Sequence, residues 1–190
     1  MNILHASTGS IAVTTTTKFT KAYSAAGYNY KSVITSAAQK LKVDILPFII
    51  HMGTPLYDKP WLADNHYMDY NEWTVYEDYN KVLHIELVKW ADVLVIAPLS
   101  ANTLAKIANG ICDNLVTNCA RAWDFSKPFI VAPSMNTNMY NHPITKTHID
   151  SIKSWGVKVV DPVVKTLYCG DTGIGAMADV NDIINTIKLC

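Results

Sequence analysis

The sequence has no surplus charge of either sign: 16 lysines and arginines balance 16 aspartates and glutamates. That removes the electrostatic case for nucleic acid or an anionic membrane surface as a partner. No apolar run approaches the roughly 20 residues that cross a bilayer. The start, Met1-Asn2-Ile3-Leu4-His5, lacks the charged segment and apolar block of a secretory signal, so a soluble, cytoplasmic protein is expected. Cysteine is scarce, and Cys112, Cys119, Cys169 and Cys190 form no CxxC pair. Neither a disulfide framework nor a zinc site is expected, because His142 and His148 have no cysteine pair to complete one. Cys112, Cys119 and Cys190 read as buried apolar thiols.

What is present is globular: 190 residues, 49% hydrophobic and 17% charged, enough for one domain with a proper core. Ile3 to Ala6 reads as a strand, and Phe19, Ala22, Tyr23 and Ala26 as one helix face stopped by Gly27. Lys31 to Thr35 reads as a strand, with a helix over Ser36 to Leu41. Val43 to Ile50 reads as an edge or shortened strand because of Pro47. Residues 51–74 read as a long connection. Tyr79 to Trp90 reads as a helix, Val93 to Ala97 as a buried strand, and Ala101 to Ala108 and Asp113 to Trp123 as helices. Pro128 to Ala132 reads as another strand, Ile144 to Trp155 as a helix, and Val157 to Val160 as the last strand. Val180 to Leu189 is an amphipathic helix capped by Asp179 or Asn181. Alternating strands and helices predict an α/β fold, a single doubly wound Rossmann- or flavodoxin-like domain over residues 1–190 with a mostly parallel sheet.

In such sheets ligands sit beyond the carboxyl ends of the strands. Three strand ends carry unusual chemistry: Ser7-Thr8-Gly9-Ser10, Pro98 to Thr103, and Pro133 to Asn136. They are expected to share one pocket. The first lacks GxGxxG, and one glycine among hydroxyls suits a phosphate monoester, so FMN fits better than NAD; a plain N-capping turn uses the same residues. Gly173-Ile174-Gly175-Ala176-Met177-Ala178 matches GxGxxA, but no strand precedes it. Three glycines within residues 170–175 suggest instead a mobile flap carrying Cys169, a lid over the pocket. His84 sits among apolar neighbours, as a structural histidine does. Its charge change near neutral pH also suits a general base.

His84-Ile85-Glu86-Leu87 through Trp90-Ala91-Asp92, followed by Pro98-Leu99-Ser100-Ala101-Asn102-Thr103, resembles the flavin-dependent cysteine decarboxylases. Pro133-Ser134-Met135-Asn136-Thr137-Asn138-Met139 is similar to their PxMNxxM motif. Cys169-Gly170-Asp171-Thr172-Gly173 and the residues after it resemble the substrate-recognition clamp of the phosphopantothenoylcysteine decarboxylases, here about 165–179. The resemblance spans nearly the full chain.

It implies decarboxylation of 4′-phosphopantothenoylcysteine to 4′-phosphopantetheine on the route to coenzyme A. The substrate thiol end is oxidised with FMN to a thioaldehyde, CO2 leaves, and the ene-thiolate is protonated and reduced again. The resemblance makes His84 the base and Cys169 the final proton donor. Asn136 binds the substrate carboxylate, and Met139 walls the site. Flavin contacts fall to Gly9, Ser10, Ile11, Thr35, Ser36, Ser100, Ala101, Asn102 and Thr103. A homotrimer with sites between subunits is implied, so that His84 serves a neighbour's flavin. Two departures stand out. Thr35-Ser36-Ala37-Ala38 is poorer in hydroxyls than the usual turn, and Thr166 stands where plant members carry arginine, leaving Lys165 to meet the substrate phosphate as a point charge. The same fold also hosts flavin prenyltransferases and, in fungi, regulatory subunits that bind a protein phosphatase. The clamp sequence argues against the first, and the lack of long acidic extensions against the second.

Overall fold

Leu94 and Ile96 face one hydrophobic cluster, while Val93, Val95 and Ala97 face another. A strand that is apolar on both faces must lie inside a sheet covered on both sides. The computed structural model, which describes residues 1–41 and 65–190, shows that arrangement. Strands β1 (Asn2–Ser7), β2 (Asn29–Ile34), β3 (His66–Met68), β4 (Val93–Leu99), β5 (Phe129–Pro133) and β6 (Lys158–Val159) form a parallel sheet in the order β3-β2-β1-β4-β5-β6. The order reverses between β1 and β4, so their carboxyl ends open a crevice.

A 3-10 turn over Ile11–Thr15 leads into α1 (Thr16–Ala25), which buries Phe19 and Tyr23 against one face and ends where Gly27 takes a left-handed φ of 68°. The last helix, α9 (Val180–Lys188), lays Ile183, Ile184 and Ile187 on the same face and is capped by Asp179 through the Asn181 amide. The opposite face is covered by α4 (Leu83–Trp90), α5 (Ala101–Ala108), α6 (Leu115–Arg121) and α8 (Pro143–Ser154). Two short helices, α2 (Ser36–Lys40) and α7 (Thr137–Tyr140), follow the carboxyl ends of β2 and β5.

Some elements differ from expectation. The strand read at Val43 to Ile50, and residues 51–64 of the long connection, lie outside the described residues. Within the rest of that connection the chain forms β3 and then α3 (Asp69–Tyr79). The single helix read over Tyr79 to Trp90 is two: Asn80, with φ 51°, ends α3, and α4 starts at Leu83. Asparagine tolerates the left-handed region without glycine, so the break carried no glycine signal.

Val157 to Val160 is not the last strand. A separate antiparallel hairpin follows, β7 (Val163–Thr166) and β8 (Thr172–Ala176). Of the cysteines, Cys119 is buried as expected, but Cys112 and Cys190 are exposed. Cys112 lies in the link between α5 and α6, and Cys190 follows α9, where its thiol bonds the Thr186 carbonyl. No helix among the described residues is long and apolar enough to cross a membrane.

Candidate active site

The ends of β1, β4 and β5 are tied together by their own polar groups. Thr8 is fully buried; its hydroxyl donates to the Pro98 carbonyl at 2.8 Å and accepts from the Ser100 amide at 2.8 Å. The Ser134 amide donates to the Leu99 carbonyl at 2.9 Å, and the Ser10 hydroxyl donates to that of Ser134 at 2.9 Å. The Ser100 hydroxyl caps α5 by accepting from the Thr103 amide at 3.3 Å. The small polar residues after β4 thus close a strand-to-helix turn that lines a cavity.

That cavity encloses about 610 Å³. It takes Gly9, Ser10 and Ile11 from the first turn, Ser100, Ala101 and Asn102 from the second, and Ser134, Met135 and Asn136 from the third. Met139, Lys165 and Cys169 also line it. The three strand ends therefore do build one pocket. Thr35, Ser36, Thr103 and His84 are not in its wall. Thr35 caps α2 through the Ala38 amide, and the Ser36 hydroxyl donates to Asp69 at 2.5 Å. The Ser100 hydroxyl donates to that of Thr103 at 3.2 Å. Each of these three hydroxyls thus has a partner within the protein.

The hairpin closes the cavity from above. Gly173 and Gly175 let β8 lie flat on the turn after β5. A Cβ on Gly175 would stand 2.2 Å from the Met135 carbonyl oxygen, and one on Gly173 would stand 2.5 Å from the Thr137 hydroxyl. Gly175 also has φ 138°, and its carbonyl accepts from the Met135 amide at 3.0 Å.

Between β7 and β8 the hairpin tip brings Cys169 and Asp171 to Asn136. The Asn136 side-chain oxygen is committed to capping α7, accepting from the Asn138 amide at 2.8 Å. That fixes the amide's orientation and aims Nδ2 at the hairpin, where it donates to Cys169 Sγ at 3.4 Å and to Asp171 Oδ2 at 3.3 Å. The Cys169 thiol itself donates to Asp171 Oδ2 at 3.3 Å. Asp171 was readable only as part of the clamp sequence; no spacing marked its carboxylate as the third corner.

His84 lies elsewhere on the chain. Its Nδ1 is 2.5 Å from Oε1 of Glu72 on α3, and both side chains are largely covered. Glu72 carried no sequence signal, because it sits in the segment read as a connection. A carboxylate on Nδ1 leaves Nε2 as the free nitrogen, the arrangement that orients a histidine base. Beside this pair, Tyr70, Trp73 and Tyr76 stand exposed along α3 at helical spacing.

The residues present fit a flavin mononucleotide. The volume is that of a cofactor pocket, and most of the wall is apolar or small. Ala101 and Asn102 open α5, so their backbone N–H groups have no acceptor within the helix and can meet carbonyl or phosphate oxygens.

Comparison with known proteins agrees with this geometry. The chain is 38% identical to a solved "PPC decarboxylase" mutant complexed with pantothenoylaminoethenethiol, with TM-score 0.83 over 99% of this chain and 96% of that one. It is 41% identical to the FMN binding protein AtHal3, with TM-score 0.83 over 99% and 95% of the two chains. Over 124 residues it is 57% identical to phosphopantothenoylcysteine decarboxylase HAL3a of Glycine max, and over 123 residues 46% identical to the phosphopantothenoylcysteine decarboxylase of Mus musculus. Those matches take in 65% and 64% of this chain but only 59% and 60% of the relatives' own length. The Flavoprotein family matches residues 1–189, and the chain belongs to that family.

Proposed function

We propose that residues 1–190 form one FMN-dependent decarboxylase domain that converts 4′-phosphopantothenoylcysteine to 4′-phosphopantetheine in the biosynthesis of coenzyme A. The observation that carries this reading is the Asn136–Cys169–Asp171 triangle, two corners of which, Asn136 and Cys169, line a flavin-sized cavity. FMN, held at the turns after β1 and β4, supplies a reversible two-electron acceptor.

The protein's own part is to bind, orient and move protons. Asn136 Nδ2, its direction set by the α7 cap, binds the substrate carboxylate in place of its contacts to the hairpin. A neutral donor suits that task, since it holds a carboxylate without the full positive charge that would oppose its loss as CO2. Cys169 gives its thiol proton to the carbon left by CO2. Met139 walls the same space.

His84 takes the substrate thiol proton at Nε2. Within one protomer it lies outside the cavity wall, so in this reading it serves the cavity of a neighbour in a homotrimer. The exposed Tyr70, Trp73 and Tyr76 beside the His84–Glu72 pair support that face as the one a second copy covers. The reading places the enzyme in the cytoplasm.

The test uses purified flavin-loaded protein and 4′-phosphopantothenoylcysteine, following CO2 and the flavin absorbance together. Wild type is expected to turn over fully. Cys169→Ser is expected to release CO2 while the flavin stays reduced and the saturated product fails to form. Absence of CO2 from loaded wild type would sink the reading.

A further inference from the structure

Two carboxylates on α3, Asp69 and Glu72, are left over from this chemistry. Three residues apart, they share one side of the helix, and the buried Val75 continues it. Glu72 is not built like a carboxylate that only stabilises a fold. Its Oε1 stands 2.5 Å from His84 Nδ1, while its Oε2 is buried with no hydrogen-bond partner among the described residues. No lysine or arginine pairs with it there. A buried carboxylate oxygen without a donor costs stability, so the fold alone does not account for Glu72.

Asp69, by contrast, is fully engaged. Its Oδ2 accepts from the Ser36 hydroxyl at 2.5 Å and the Ser36 amide at 3.3 Å, and its Oδ1 accepts from the Leu115 amide at 3.0 Å. Ser36 and Leu115 are the first residues of α2 and α6, and such amides have no acceptor within their own helix. One carboxylate therefore pins the start of α3 to the starts of two other helices. Of these, α2 packs on the first cavity turn: a Cβ on Gly9 would stand 2.8 Å from that of Ala37.

We propose that Asp69 and Glu72 are positioning residues for the base: Glu72 dictates which ring nitrogen of His84 carries the proton, and Asp69 fixes the helix that presents Glu72. The inference rests on the decarboxylase reading for the role of His84. A carboxylate only accepts, so Nδ1 must carry the ring proton, and Nε2 keeps the lone pair that a base needs. An amide at position 72 could accept or donate, and would leave the tautomer open. Both residues act through His84.

The experiment joins a protein readout to a kinetic one. Nitrogen-15 spectra of flavin-loaded protein with labelled histidine, at about pH 8 where an imidazole is neutral, show which nitrogen of His84 is protonated. The His84 signals are assigned by their loss in His84→Gln. Rapid mixing with 4′-phosphopantothenoylcysteine follows flavin bleaching, which needs the base, apart from the later step that needs Cys169. Wild type is expected to carry the proton on Nδ1. Glu72→Gln is expected to lose that preference and to bleach roughly 100-fold more slowly or worse. It should keep the wild-type melting temperature, since it removes a buried charge with an unsatisfied oxygen. Asp69→Asn is expected to slow bleaching about tenfold, with little further loss when added to Glu72→Gln. Asp78→Asn, exposed on the same helix, is expected to change neither readout.

A wild-type His84 protonated on Nε2 overturns the inference, and so does bleaching at the wild-type rate in Glu72→Gln. A Glu72→Gln variant that keeps the tautomer, and slows only in step with a lower melting temperature, also overturns it by making Glu72 structural. If wild type bleaches no flavin, the decarboxylase reading fails. The nitrogen spectra then still decide whether Glu72 sets the ring proton.

Discussion

The cavity has two unlike sides. The turns after β1, β4 and β5 are made of buried strand ends cross-linked through Thr8, Ser100 and Ser134. The hairpin opposite is exposed along much of its length; Val164 and Tyr168 are 67% and 87% accessible. It is seated where Gly175 meets the Met135–Asn136 backbone, where Gly173 meets the Thr137 side chain, and where Asn136 meets Cys169 and Asp171. One side is held by the core; the other is held by close backbone approach and a few polar contacts. A rigid flavin ring needs the first kind of wall, and a substrate that must enter and leave needs the second.

Gly175→Ala tests the weaker side most severely. The added Cβ would meet the Met135 carbonyl, at a φ that a side chain rarely adopts, so the hairpin must lift and take Cys169 with it. Decarboxylation is expected to fall roughly 100- to 1,000-fold, since about 1 Å of misplacement costs near 100-fold. The flavin spectrum of the loaded protein is expected to persist. Full activity in this variant would mean that the seam does not place the thiol.

The core side has its own acid sensitivity. His5 on β1 is buried beside Tyr23, its Nδ1 2.9 Å from the phenol oxygen. Burial pushes its pKa from 6.5 down to about 4, with the Ala97 backbone opposing. Between those values the unfolded chain binds the proton and the folded one does not, so stability is lost as pH falls from about 6.5 to about 4. The expected loss is on the order of 3 kcal/mol. Denaturant melts across that window should show a flatter acid limb for His5→Gln; an identical limb would assign the acid sensitivity to other groups.

Thr8→Val removes the hydroxyl that joins the first two turns while keeping the side chain's shape. It leaves the buried Ser100 amide without its acceptor and is expected to cost about 2 kcal/mol. Equilibrium unfolding measures this, and a wild-type midpoint would show that the turns do not depend on the link.

The smallest effect is expected at Asp171→Asn. It weakens the corner that accepts from both Asn136 and Cys169, lowering the rate of product formation about fivefold. An unchanged rate in this variant would reduce Asp171 to a structural contact.

Much of this molecule was legible residue by residue. Continuous apolar runs identified β4 and β5, and apolar spacing closed by Gly27 identified α1. The polar strand ends pointed to one pocket, and the structure brings them together. Three things were not legible. The α3 helix was hidden because Tyr70, Trp73 and Tyr76 face outward, so apolar spacing did not mark a buried stripe. The hairpin was hidden because most of its residues are exposed and its Gly173 and Gly175 answer to residues 135–137, distant in sequence. The partners that the Thr35, Ser36 and Thr103 hydroxyls have within the fold were hidden too, because the resemblance marked these residues only for an expected flavin contact.

The sequence alone determined the strand–helix alternation, the buried parallel sheet and the chemical character of its strand ends, because burial and capping act over a few neighbouring residues. Tertiary structure decided that Asn136, Cys169 and Asp171 form a triangle, that Glu72 holds His84, and that Lys18 and Lys165 share a wall. Those partners are 12 or more residues apart in every case but Cys169 and Asp171. No local periodicity records such a distance; only the packing of separate elements does.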